Sequence, residues 1–158
     1  MTGKELQRRL DEIEEAIEQL PEKMRRYLKP NSGKLNEDMI REDLARELGI
    51  PDLSIKSRAA LERGRNPHRA DILIEGKTPV YIEAKAIGEY RMPGERYTKS
   101  YALVQKLGGK YLYVCSNPEN KKYRAEIEKI FGKDKAFYLT KPEVWEDLVA
   151  KVREYTGF

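Results

Sequence analysis

Apolar residues return along the first part of the chain at Leu6, Leu10, Ile13, Ile17, Leu20, Met24 and Leu28, with charged residues between them. Steps of three and four predict an amphipathic helix over 3–28. Pro21 interrupts the pattern, and proline fits the first turn of a helix better than its interior, so one kinked rod and two helices joined near Leu20 both satisfy it. The apolar seam suits a homodimerisation arm in the coiled-coil manner, or a helix pair lying on its own domain.

The pattern then changes. Lys29-Pro30-Asn31-Ser32-Gly33-Lys34 reads as a linker. From Asn36 a helix is expected to about Leu48, with Met39, Ile40, Leu44 and Leu48 on its inner side and Gly49 as its stop. Residues 53–63 fit a strand or the start of a helix. Ile72-Leu73-Ile74 and Val80-Tyr81-Ile82 are short apolar runs separated by Glu75-Gly76-Lys77-Thr78-Pro79, the pattern of a β-hairpin. A loop with Gly88, Pro93 and Gly94 follows, then a helix over 95–107 stopped by Gly108-Gly109, and a buried strand over 111–115. A helix over 121–131, a strand over 136–139 and a last helix complete the chain; Thr140-Lys141-Pro142-Glu143 reads as the capping box of that helix. This order of helices and strands predicts an α/β fold with a mixed sheet.

The hairpin carries charge where burial is expected. If it is symmetric about Lys77, residue 74 faces 80, 72 faces 82, and Asp71 faces Glu83. Opposed side chains on antiparallel strands stand about 5 Å apart at Cβ, so two carboxylates there repel unless a positive group lies between them. A divalent cation resolves the repulsion. Glu83 and Lys85 are two apart and share a face, whereas Ala84 turns to the other. A lysine beside an activated water can orient or deprotonate it, or balance charge growing on a phosphate. A solvated hairpin would also show alternating charges, but Tyr81-Ile82-Glu83-Ala84-Lys85-Ala86-Ile87 is otherwise apolar, and buried charges are costly unless paired or bound to metal.

Asp71 followed by Glu83-x-Lys85 resembles the signature of the PD-(D/E)XK nuclease superfamily. More narrowly, the stretch from Asn36 to Asn117 is similar to the N-terminal nuclease domain of type I restriction enzyme motor subunits. The matching pieces are Asn36-Glu37 with Arg41, Arg69-Ala70-Asp71, the strand from Pro79 to Lys85, and a helix feeding a strand that ends in Ser116-Asn117. The resemblance implies a restriction-endonuclease-like mixed sheet flanked by helices over 35–158, preceded by a helical arm over 1–30. It also implies an Mg²⁺- or Mn²⁺-dependent DNA endonuclease leaving a 5′-phosphate. Asp71 and Glu83 would be metal ligands and Lys85 the catalytic lysine. Glu37 would be a further acidic member near the metal, with Glu42 as the other candidate. Two positions depart from the pattern: no proline directly precedes Asp71, and Tyr97 stands where related enzymes often carry the glutamine of Gln-x-x-x-Tyr. Tyr101 keeps the tyrosine, which is expected to approach DNA.

With 158 residues the chain has the size of one domain, and no apolar run approaches the ~20 residues of a membrane span. The charged N-terminus is unlike a secretory signal, so a cytoplasmic location is expected. The single cysteine, Cys115, lies in an apolar strand and reads as core. Net charge is +4, a modest excess. Its distribution says more, because Lys56, Arg58, Arg63, Arg65, His68 and Arg69 crowd just upstream of Asp71 with only Glu62 against them. Such a cluster can neutralise DNA phosphates, or be a solvated loop. Two other functions fit the same residues: a structure-selective nuclease of the Holliday-junction-resolvase type, and a nucleic-acid-binding or assembly protein that keeps the fold without turnover.

Overall fold

Residue types sort onto the two faces of one sheet. In the computed structural model, which describes residues 3–18, 33–51, 54–85, 95–115 and 121–158, five strands are hydrogen-bonded in the order β1-β2-β3-β4-β5. They are Ile55–Ala60, Arg69–Ile74, Val80–Lys85, Lys110–Cys115 and Ala136–Tyr138. The segment over 53–63 that fitted either type is therefore largely strand. β1, β2 and β3 run antiparallel, and β4 and β5 join β3 in parallel, giving a mixed open sheet.

Strand alternation puts Val80, Ile82, Ala84, Leu112 and Val114 on one face, in a mainly aliphatic core. Two helices cover it: α2 (Gly33–Leu48), through Met39, Ile40, Leu44 and Leu48, and α5 (Pro142–Thr156), through Trp145, Leu148 and Val152. The opposite face is aromatic, with Tyr81, Tyr111, Tyr113 and Tyr138 beneath α3 (Glu95–Lys106) and α4 (Lys121–Phe131). Phe131 stands at its centre, with ring centroids 5.0 Å from Tyr111 and 5.4 Å from Tyr113. Each fully buried large apolar side chain contributes about 1.5–3 kcal/mol, so both faces drive folding. Parallel strands need crossover helices, and α3 and α4 supply them between β3, β4 and β5.

Three local expectations change. The helix expected from Asn36 begins at Gly33, so Gly33 and Lys34 belong to it rather than to the linker. The strand expected to reach Leu139 ends at Tyr138. The capping box is not formed: the N-cap is Lys141, with no side-chain cap bond, which places Glu143 too early to reach back, while Thr140 Oγ1 donates to Tyr138 O (3.4 Å). Proline at the start of α5 is as expected.

At the N-terminus, α1 (Gly3–Glu18) exposes Leu6 at 51 %. The join at Pro21, most of the linker, the loop with Gly88, Pro93 and Gly94, and Ser116-Asn117 lie outside the described residues. Among the described residues no helix is long and apolar enough to cross a membrane. Cys115, the single cysteine, is buried.

The β2–β3 turn is pinned from the far side of the molecule. Lys77 N–H donates to Thr156 O (2.8 Å) and Thr78 N–H to Tyr155 O (3.0 Å), which ties the turn to the last turn of α5. Gly76 lies so close that a Cβ built on it would meet the Thr156 Cβ at 2.5 Å and its Cα at 2.7 Å.

Candidate active site

The hairpin register matches the symmetric reading: Ile72 pairs with Ile82, Leu73 with Tyr81, and Ile74 with Val80. One step further the side chain of Asp71 enters the ladder, its Oδ2 accepting the Ala84 N–H at 2.8 Å. A charged acceptor thus takes a backbone donor that a carbonyl would otherwise fill, and holds the Asp71 carboxylate against β3. Ala84 packs into the aliphatic core, which leaves Glu83 and Lys85 on the aromatic face. Glu83 is 1 % exposed. Its Oε2 accepts from the Tyr111 hydroxyl (2.9 Å), and its Oε1 lies 3.6 Å from Lys85 Nζ and has no hydrogen-bond partner among the described residues.

Glu37, on α2, completes the acidic group through a hydrogen bond to Asp71. Burial, the Asp71 charge and a hydrogen bond to Asp71 raise its pKa to about 8, against the pull of Arg58. A hydrogen bond between two carboxyl groups needs a proton between them. Glu83 is raised to about 7 by burial and by Asp71, opposed by Lys85, Tyr111 and Arg96. Glu42, the other candidate on that helix, is exposed. For Lys85, burial lowers the pKa, but Tyr97, Glu83 and Asp71 outweigh it and the net shift is upward. Its ammonium also stands 5.7 Å from the centre of the Tyr97 ring. Lys85 is therefore an ammonium in this state and suits charge stabilisation better than proton abstraction.

Among the described residues no three His, Cys, Asp or Glu side chains form a closed group able to enclose a metal ion. The chemistry of the donors nevertheless suits one. Three carboxyl groups crowd one site, the half-buried Lys85 ammonium stands beside Glu83, and a buried oxygen of Glu83 lacks a hydrogen-bond donor. Hard oxygen donors of this kind favour Mg²⁺ or Mn²⁺.

Raised carboxyl pKa values make a prediction for the metal-free protein. A carboxyl whose folded pKa exceeds its unfolded value favours the fold while protonated. The contribution of Glu37 and Glu83 is complete below about 4.5 and is lost as pH rises through about 7 and 8. Thermal melts in chelator should lose stability across that window, and Mg²⁺ should restore more of it at the alkaline end. Melting temperatures that rise with pH in chelator would contradict the assignment.

Of the basic cluster, Arg58 comes nearest. The register skips it between Ser57↔Ile72 and Ala59↔Ala70, opposite Asp71, and its φ is 50°, the left-handed region. Residues other than glycine pay about 1–2 kcal/mol there, and such strain gathers at functional sites. Arg58→Gly should therefore leave the fold as stable or up to about 1 kcal/mol more stable, while weakening DNA binding. Thermal melts and binding titrations read the two effects, and a large loss of stability would show that Arg58 is structural. Arg69 Nη1 donates to Arg58 O (2.9 Å), so Arg69 braces this bend. Arg63 and Arg65 are exposed in the β1–β2 connection, and His68 Nδ1 lies 3.4 Å from Glu62 Oε1.

Tyr101 accepts from Lys135 Nζ (2.8 Å) and packs edge-on to Phe131, which puts it in the aromatic layer. Tyr97, in the glutamine's place, is the one that meets Lys85. Sequence reasoning missed Tyr111 and the cations of a hollow of ≈ 870 Å³ between α3 and α4, where Arg96, Lys99 and Lys129 join His68. Arg96 and Lys99, three apart on one helix, were the available signal. A second hollow of ≈ 590 Å³, along β5 and α5, is lined by none of the hairpin acids.

Compared with protein-family models, curated proteins and solved structures, the chain matches none.

Proposed function

We propose that this chain is a divalent-metal-dependent DNA endonuclease built on the restriction-endonuclease-like plan. The observation that carries the reading is the meeting of Glu37, Asp71 and Glu83, with the half-buried Lys85 ammonium 3.6 Å from Glu83 Oε1, an oxygen lacking a hydrogen-bond donor. Asp71 and Glu83 would hold Mg²⁺ or Mn²⁺ with Glu37 beside them, and the bound ion would supply Lewis acidity and a more acidic water. The chain's own groups do the rest. Arg58, Arg63 and Arg65, together with His68, Arg96 and Lys99 of the shared hollow, draw in and align the phosphate backbone. Lys85 stabilises the charge that grows on the non-bridging phosphate oxygens as water attacks in line. The P–O3′ bond breaks, the 3′ oxygen takes a proton, and a 5′-phosphate remains.

One observation favours the silent alternative, a DNA-binding or assembly protein on the same fold: the acids are not drawn into a closed metal-sized group. Incubation with duplex, single-stranded and branched DNA in Mg²⁺ or Mn²⁺ separates the readings. Metal-dependent nicking of duplex supports the endonuclease, cleavage confined to branched DNA supports the resolvase-like form, and binding without cleavage leaves the silent form.

A further inference from the structure

We propose that Tyr111 is the positioning residue for Glu83: by occupying one carboxylate oxygen it makes the other, Oε1, the oxygen offered to a divalent cation. This rests on the hydrolase reading above, and deepens it by naming what orients the ligand.

β4 lies parallel to β3 with Tyr113 opposite Glu83. Tyr111, two residues earlier and on the same face, reaches Glu83 diagonally and donates to Oε2 at 2.9 Å. Both partners are shut from solvent, Tyr111 at 2 % exposure and Glu83 at 1 %. The tyrosine ring has little freedom, with the centroids of Phe131 at 5.0 Å and Tyr101 at 6.3 Å. The hydroxyl is thus the fixed partner and the carboxylate the one that turns to it. Once Oε2 is held, Oε1 follows from the planarity of the group. It is left buried with no hydrogen-bond donor, 3.6 Å from the Lys85 ammonium.

Donor type matters as much as position. Buried Asp43 is paired with a guanidinium, Arg46 Nη1 at 3.0 Å, which cancels its charge. Tyr111 is neutral, so it steadies the Glu83 carboxylate and leaves the negative charge available to a cation. Hydrogen-bonded partners of metal-ligating groups typically contribute 10–100-fold in metal affinity or activity.

A purely packing role for Tyr111 makes a different prediction. Tyr111→Phe keeps the ring and its neighbours and removes only the hydroxyl, so the fold is expected to persist. Mn²⁺ titrated calorimetrically into the full chain without DNA should bind about 10–100-fold more weakly to Tyr111→Phe than to the unmodified protein. The Mn²⁺ concentration for half-maximal cleavage should rise by the same factor, with KM for DNA at saturating metal unchanged. Tyr81→Phe, on the same face of the sheet but under the influence of Glu75 and Lys56, is the control and should change neither. Equal Mn²⁺ affinity in Tyr111→Phe and the unmodified chain overturns the positioning role and leaves the hydrolase reading standing. Absence of Mn²⁺ binding by the unmodified chain overturns both.

Discussion

Lys85→Ala is expected to lower metal-dependent DNA cleavage by about 10²–10³-fold, the loss seen when one preorganised charge-stabilising donor is removed from an active site. The reasoning is electrostatic. Lys85 lies at the end of β3 with its Nζ 3.6 Å from Glu83 Oε1, and its pKa is shifted upward, so it meets the substrate as a cation. In the mutant the carboxylates lose a counter-charge, and Glu83, whose pKa Lys85 holds down, answers by binding a proton more tightly. The metal-free mutant therefore stays folded at neutral pH, and its defect appears in turnover. Asp71→Ala is the companion, since it removes both a proposed ligand and the acceptor of the Ala84 N–H. Initial rates on supercoiled DNA with either mutant within a few-fold of the unmodified chain would remove the hairpin from the mechanism.

Gly76→Ala is expected to destabilise the fold by up to about 3 kcal/mol, the upper range for forcing an added methyl into a packed site. The new Cβ would stand 2.5 Å from the Thr156 Cβ and 2.7 Å from both its Cα and its carbonyl oxygen. Backbone cannot swing aside as the end of a long side chain can. The turn or the end of α5 must move, and the bonds from Lys77 N–H and Thr78 N–H to Thr156 O and Tyr155 O are strained together. At roughly 2–4 °C per kcal/mol for a chain of this size, the melting temperature should fall by up to about 6–12 °C. The same turn sets the hairpin register, so the substitution should also disturb the alignment of Asp71 with Glu83. A melt within about 2 °C of the unmodified protein would show the turn to be freely adjustable.

The hairpin was legible because its signals are local. Alternation places Glu83 and Lys85 on one face and Ala84 on the other, and a polar loop centred on Lys77 sets which residues oppose. The start of α5 was less legible for the same reason: the letters Thr140 to Glu143 spell a capping box, but the helix starts at Pro142 and the box never closes. Glu37 over Glu42 could be favoured from resemblance alone. Physically the choice depends on which turn of α2 comes within reach of Asp71, a matter of how α2 lies on β2 and β3.

The α/β class, the hairpin with its register, and the common face of Glu83 and Lys85 are readable from residue order, because each follows from periodicities of a few residues. What surrounds them depends on how distant segments pack. The hydrogen bond of Tyr111 to Glu83 spans 28 residues of chain. The meeting of Tyr97 with Lys85, the left-handed Arg58 opposite Asp71, and the docking of Gly76 on Thr156 likewise join groups that no local pattern relates. Such contacts arise where separately formed elements pack, and there burial and charge set the pKa values of the acidic group.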